Sequence, residues 1–291
     1  MRFRKILILL IFNLFSLTFF SFEVYFTDEG FKNIISEKIK KAHRIDIVSL
    51  NIDDYGYSLV SEKNFTAFVD YSDTEDKRIK KINKYEGYMH KKYFIFDESE
   101  IFIGTGNFTL SGLDTDFNIF LFTDDKDITE YFRNDRNLLL SDKNFKTYKK
   151  FSGESDFEIF QFPSDKYKDI FKVIRKAKEK IRIFSFSFTD PYFVYELSKS
   201  SQRGVEISII SDDWNKTYES PLKYMDFASV IYFDNIHAKC ITIDDKITII
   251  GSYNHTYRSR EKNGEILLVI YDKNITEKIN KKFDLLTEGE K

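Results

Sequence analysis

One pattern occurs twice in this chain. From Met89 to Asn118 the sequence reads M-H-K-K-Y-F-I-F-D-E-S-E-I-F-I-G-T-G-N-F-T-L-S-G-L-D-T-D-F-N, and from Asn235 to Glu265 a related stretch follows. His90, Lys92, Asp97, Gly104, Thr105, Asn107 and Thr109 correspond to His237, Lys239, Asp244, Gly251, Ser252, Asn254 and Thr256. Each pair is 147 positions apart, with no gap. The chain has four histidines, so two of them at matched sites is not a casual coincidence. An internal repeat of this kind predicts two similar structural units rather than one irregular domain.

The spacing within the pattern predicts its local fold. His237 and Lys239 are two apart in a β-branched run, which puts both side chains on one face of a strand. Asp244 and Asp245 break the run, and Ile247 to Ile250 reads as a return strand. A hairpin centred between Asp245 and Lys246 would set Asn254 opposite His237, with Ser252 beside it. Asp244 would lie roughly 16 Å from Lys239 at about 3.3 Å per residue. Asp244, and Asp97 by analogy, are therefore expected to be structural turn residues.

The duplication extends beyond the motif. Phe22 to Phe26 reads as a strand. Phe31, Ile34, Ile35, Ile39 and Ala42 mark a helix face, and Ile45 to Ile52 a buried strand. Glu158 to Phe162, the face at Tyr167, Ile170, Phe171, Ile174 and Ala177, and Ile181 to Phe188 repeat that order. The second half continues with a helix near Tyr192 to Ser201, a turn at Arg203-Gly204 and a strand to Ser211. In the first half the corresponding helix, near Tyr57 to Glu62, is abbreviated or absent. The expected architecture is α/β: two lobes, 22–140 and 157–291, each a mixed β-sheet flanked by helices. Residues 141–156 are polar and read as the connection. A pseudo-twofold would bring the two hairpin ends face to face, with the active site between them.

Composition narrows the class. At 291 residues, with 42% hydrophobic and 32% charged, the chain can bury a substantial core. Residues 1–21 open M-R-F-R-K and run apolar from Ile6 to Phe20, a secretory signal pattern. Phe19 and Ser21 would flank a poor cleavage site, so an uncleaved anchor is the alternative. Export is expected either way, to the periplasm, the exterior or the membrane surface. Loss of that segment takes three positive charges from the formal −2 and leaves −5, which argues against a generally basic nucleic-acid binder. The charged run Lys77, Arg78, Lys80, Lys81 and Lys84 is either a solvated face or a basic lip beside His90. Cys240 is the single cysteine, expected to be buried packing, and scattered histidines give no zinc cluster. No metal and no cofactor is expected.

Two His, two Lys and two Asn suit phosphodiester chemistry. Histidine can attack or transfer a proton near neutrality, lysine supplies point charge, and Asn and Ser or Thr add hydrogen bonds. The pattern H-x-K-x4-D-x6-G-S/T-x-N, present twice, resembles the phospholipase D superfamily. The resemblance implies a phosphohistidine, with His90 as nucleophile and His237 as acid/base, an order that sequence alone does not fix. It also implies that Lys92, Lys239, Asn107 and Asn254 hold the phosphate, with Thr105 and Ser252 in support. An acidic residue downstream of each motif would orient a histidine. Glu265 fits, 28 residues after His237, but Asn118 stands at the matching position of the first half and carries no charge. Asp116 could substitute, although on a strand it should face the other way.

The expected activity is head-group hydrolysis of phospholipids. The alternatives are an exported nuclease, suggested by E-V-Y-F and the basic run, and a catalytically silent binding module. A cardiolipin synthase is disfavoured by the lack of further membrane-spanning sequence. The internal duplication predicts a monomer, with peripheral membrane contact. Trp214 and Tyr218 could touch lipid, though packing is the safer reading.

Overall fold

The computed structural model describes residues 22–289 apart from 142, 144, 153–155 and 218–219. The segment read as an export signal, and Tyr218, lie outside the described residues. The first sheet contains β1 (Glu23–Phe26), β2 (Arg44–Asn51), β3 (Asn64–Tyr71), β4 (Ile79–Lys81), β5 (Tyr93–Phe96), β6 (Glu100–Gly104) and β7 (Ile119–Thr123). The second contains β8 (Tyr148–Phe151), β9 (Phe157–Phe162), β10 (Lys180–Ser185), β11 (Glu206–Asp212), β12 (Ser229–Phe233), β13 (Lys239–Ile243), β14 (Ile247–Gly251) and β15 (Glu265–Ile270).

The first sheet is ordered β1-β7-β6-β5-β2-β3-β4. Without β8, the second is ordered β9-β15-β14-β13-β10-β11-β12, the same path. The directions match too: four antiparallel pairings, then two parallel ones. The duplication seen in the motif is thus a duplication of the whole sheet.

Among the described residues, eight α-helices accompany these strands: α1 (Phe31–Lys41), α2 (Asp54–Val60), α3 (Lys126–Leu138), α4 (Tyr167–Ile174), α5 (Pro191–Gln202), α6 (Trp214–Thr217), α7 (Tyr257–Glu261) and α8 (Lys273–Glu288). Phe31, Ile35 and Ile39 of α1 are buried at the expected helical spacing. In the first lobe, α2 is the abbreviated counterpart of the twelve-residue α5. Asp53 caps it through the Gly56 N–H. Gly56 is required there, because a Cβ would lie 2.1 Å from the Phe108 carbonyl oxygen.

Three apolar clusters form the core. One, under α1 and α2, belongs to the first lobe, and another, under α4 and α5, belongs to the second. The third lies between the sheets. It joins Tyr93, Ile103 and Leu121 to Phe184, Cys240, Ile250 and Leu268, and is closed by Phe132 of α3 and Phe283 of α8. The two lobes therefore share one continuous interior. Among the described residues no helix is long and apolar enough to cross a membrane.

Three expectations change. The 141–156 stretch is more than a connection, since β8 pairs with β9 and Phe151 stacks on Phe157 at 4.4 Å. Its two lysines and single buried residue, typical of an edge strand, hid it. The hairpin centres on Asp245, because Cys240 pairs with Ile250, half a residue earlier than expected. Asp244 and Asp245 both adopt left-handed backbone (φ 49° and 51°), and Asp97 and Glu98 repeat that turn (49° and 59°). In the basic run, two of the five residues are tied into the fold. Arg78 binds Asp76 and the carbonyls of Ser61 and Lys63, and Lys84 donates to the carbonyls of Leu138, Ser141 and Lys143.

Asp97 and Asp244 are structural. Asp97 accepts the N–H groups of His43 and Arg44, both at 2.8 Å, and Asp244 those of Lys178, Glu179 and Lys180. Each carboxylate ties its hairpin turn to the start of the neighbouring strand.

Candidate active site

His90 and His237 lie just before β5 and β13, and each is bonded to the other lobe. The His90 N–H donates to the Gly264 carbonyl at 2.8 Å, and the Gly264 N–H to the Tyr88 carbonyl at 2.8 Å. The His237 N–H donates to the Phe117 carbonyl at 3.0 Å, and the Phe117 N–H to the Asn235 carbonyl at 2.7 Å. Met89 bridges Gly264 and Ile236 bridges Phe117, pairs that interchange under the 147-residue offset.

The ring contacts are crossed in the same way. His90 Nδ1 meets Glu265 Oε2 at 2.9 Å. Glu265, which the sequence relates to His237, therefore serves the histidine of the other motif. Ser252 donates its hydroxyl to the same carboxylate, and Asn263 Nδ2 donates at 3.1 Å. His237 Nδ1 meets Asn118 Oδ1 at 2.9 Å, and the Thr105 hydroxyl donates to that oxygen at 2.9 Å. Asn118 Nδ2 donates to the carbonyls of Gly112 and Asp116. Those donations fix the amide orientation, so Asn118 can only accept from His237. His237 must carry its proton on Nδ1 and present a bare Nε2 when neutral.

Thr105 and Ser252 were expected to support the phosphate. Both are fully buried, and their hydroxyl protons are spent on Asn118 and Glu265. They position the residues that position the histidines.

Lys92 and Lys239 are buried, each with Nζ donating to the carbonyl of the histidine two residues earlier. Burial pulls the Lys92 ammonium down to about 7 despite the nearby Glu265. Burial and Lys92 hold Lys239 well below its usual range, opposed by Glu265, Asp116 and Asp212. His237 is pushed well below 6.5 by burial, then by Lys239, Lys92 and His90. Burial also lowers His90, but Glu265 opposes it. Burial works against charge on Glu265 as well, yet His90 and Lys92 outweigh it and the carboxyl stays below its usual range.

The side-chain oxygens of Asn107 and Asn254 are buried without a hydrogen-bond partner. Because these oxygens accept nothing, each amide can turn its NH2 donors toward an anion, and two buried lysines that gain from a nearby negative charge give the site the chemistry of a phosphate cradle.

On the His237 side opens a cleft of about 470 Å³, lined by Asp116, Phe186, Asp212, Trp214, Asn235 and His237. Asp116 does not face away as expected. It precedes β7, so strand alternation does not govern it. Phe186 and Asp212 were missed. Phe186 lies past the end of β10, which stops at Ser185 and not at Phe188, and Asp212 is the polar end of an apolar strand. A larger cavity, about 890 Å³, lies between α3 and the 141–152 segment and contains neither histidine.

The comparisons agree with this geometry. The family model described as "Cardiolipin synthase, PLD-like domain" matches residues 18–138 and 170–287. A phospholipase D of Rickettsia typhi is 28% identical over 160 residues, which span 51% of this chain and 78% of that protein. Cardiolipin synthase 1 of Bacillus anthracis is 32% identical over 128 residues, 38% of this chain and 24% of that protein. The crystal structure of phosphatidylserine synthase from Haemophilus influenzae shares the fold, with a TM-score of 0.70 at 13% identity, covering 91% of this chain and 86% of that one. With both halves of the chain matched, the chain belongs to the PLD-like domain family of the cardiolipin synthases and is a phosphodiesterase-type enzyme of the phospholipase D superfamily.

Proposed function

We propose that this enzyme hydrolyses the head-group phosphodiester of phospholipids through a phosphohistidine, at a site related by a pseudo-twofold. The observation that carries the assignment of roles is the unequal support of the two histidines. With Nδ1–H held by Glu265, the Nε2 lone pair of His90 attacks phosphorus. The positive charge that develops on the ring is met by the carboxylate. The leaving alkoxide takes a proton from Nε2 of His237. His237 then removes a proton from water, which attacks phosphorus and breaks the P–N bond. The phosphate product leaves, and both rings return to their starting state.

For the first step His237 must be charged, although burial and the lysines disfavour that. A bound phosphodiester offsets the field of Lys92 and Lys239, so substrate itself raises the proton affinity of His237. Lys92, Lys239, Asn107 and Asn254 hold the non-bridging oxygens through the reaction.

The lipid reading is supported by relatives named phospholipase D and cardiolipin synthase, and by the acidic net charge. The structural engagement of Arg78 and Lys84 weakens the basic lip on which the nuclease reading leaned. An alcohol in place of water would turn the same intermediate toward phosphatidyl transfer. Export is part of the proposal. The basic start and the apolar run from Ile6 to Phe20 support it, and a reporter fused after Ser21 should leave the cytoplasm only when that run is present.

The test uses the protein in EDTA, following head-group release from mixed phospholipid vesicles with single-stranded DNA and RNA in parallel. Head-group release with intact nucleic acid is expected. Nucleic-acid cleavage with intact vesicles would replace this reading with the nuclease one, and silence on both would favour a binding module.

A further inference from the structure

His255 is a buried histidine to which the proposed reaction gives no task. It follows Asn254, and under the 147-residue offset it stands where the first half has Phe108. Matching bridges hold the two backbones, Ile52 to Phe108 and Phe188 to His255. Phe108, also buried, packs edge-on to Phe94 at 4.9 Å. The His255 ring lies 5.5 Å from Phe188 and 4.9 Å from Phe193. Packing alone would be served by phenylalanine in either place. An imidazole brings polar nitrogens into an apolar site, which costs free energy unless they are bonded.

The bond goes to a serine that both lobes share. His255 Nδ1 and the Ser185 hydroxyl are 2.8 Å apart. Ser185 is the last residue of β10, is fully buried, and pairs with Lys239 across the ladder to β13. Ser49 holds the same place in the first lobe, one step beyond the pairing of Val48 with Tyr93 and so opposite Lys92. Its hydroxyl accepts the Phe108 N–H at 2.9 Å. In each lobe a buried serine opposite the site lysine therefore holds the residue that follows the asparagine. In the first lobe it holds the backbone, and in the second the ring.

Asn254 depends on such a hold. Its side-chain oxygen is buried and accepts no hydrogen bond, so that oxygen does not fix where the amide points. His255 is fastened at two places. Its ring is bonded to β10, and its carbonyl accepts the N–H groups of Thr189 and Asp190, at 2.9 Å and 3.0 Å, in the loop after that strand. Together these fix the backbone from which Asn254 projects. Burial, and then Lys239, pull the His255 ring down to about 3. Near neutrality it is a neutral hydrogen-bonding ring and not a third acid or base.

We propose that His255 is a positioning residue for this reaction: pinned by Ser185, it aims the Asn254 amide at the phosphate. The inference rests on the phosphate-holding role given to Asn254 above and adds what sets that role.

The experiment titrates the protein with inorganic phosphate in a calorimeter and measures kcat and KM on a p-nitrophenyl phosphodiester. His255→Phe keeps an aromatic ring and removes the bond. It should weaken phosphate binding by about three- to tenfold, with a fall in kcat/KM of similar size. His255→Asn can place a polar atom where Nδ1 lies and should restore most of both. Ser185→Ala should match His255→Phe, and the double variant should lose no more than either alone. Ser185→Ala and His255→Asn carry the test if His255→Phe does not fold.

Phosphate binding and kcat/KM unchanged in Ser185→Ala or in His255→Phe would overturn the inference and leave His255 a packing residue. Additive losses in the double variant would overturn it too. Asn254→Ala separates the two readings. If it weakens phosphate binding while His255→Phe does not, the inference alone fails. If Asn254→Ala leaves phosphate binding intact, the phosphate-holding reading fails and takes the inference with it.

Discussion

The two lobes offer the same histidine, lysine and asparagine around matching hairpins, yet they ground each other's histidine differently. The second lobe gives His90 a carboxylate, Glu265, held by Ser252 and Asn263. The first lobe gives His237 an amide, Asn118, held by Thr105. Both fix the ring and the tautomer. Only the carboxylate stabilises a charged ring. Asn118 in one half, opposite Glu265 in the other, makes the two matched histidines unequal. Under the proposed roles, the histidine that would bear lasting positive charge as a phosphoimidazolium is the one with the carboxylate. The one proposed to give its proton away is left with the weaker hold on it.

The sharpest way to break this comparison is to remove each histidine. His90→Ala and His237→Ala should each lower head-group release by about 10⁴-fold or more. They should differ on a p-nitrophenyl phosphodiester, whose leaving group needs no proton. There His237→Ala should still form, and accumulate, a phosphoenzyme detectable by mass, while His90→Ala should form none. The reverse pattern would swap the roles. Glu265→Gln should cost about 10²- to 10⁴-fold in kcat with a smaller change in KM. A loss no greater than that of Asn118→Ala would remove the distinction drawn between the two supports.

Asn118→Asp restores symmetry. A carboxylate beside His237 favours its charged form, so its proton affinity rises and the alkaline limb of kcat/KM should move up by about one pH unit or more. In the parent enzyme both histidines are held below 6.5. The limb of kcat/KM, which reports the free enzyme, should therefore lie on the acid side of neutrality, and that of kcat, which reports the complex, should lie higher. The same shifts carry a stability sign. Below pH 6.5 the unfolded histidines bind protons that the folded ones refuse, so stability should fall as pH drops from 6.5, measurable by urea melts.

The smallest expected effect compares the two hairpin turns. Asp97→Ala and Asp244→Ala should each cost about 1–2 kcal/mol, the second more because it strands three N–H groups rather than two. Turnover by the folded fraction should not change.

Much of this was legible beforehand because it is local. The strand spacing of His237 and Lys239, the helix face of Phe31, Ile35 and Ile39, and the turn role of Asp97 and Asp244 follow from residues a few positions apart. Strand β8 was not legible, because its lysines show no apolar alternation and its partner supplies the burial. Nor was the exact hairpin centre, which depends on two consecutive non-glycine residues accepting left-handed backbone.

By itself, the sequence determined that this protein has two like halves, which His, Lys and Asn residues match between them, and that position 118 departs from symmetry. Only the tertiary structure decided that each half's support is delivered to the other half's histidine. It also decided that Asp116, Phe186, Asp212 and Trp214 share one cleft with His237. The reason is physical: which lobe meets which across the shared interior is set by packing of the whole apolar layer between the sheets, and no short-range spacing encodes it.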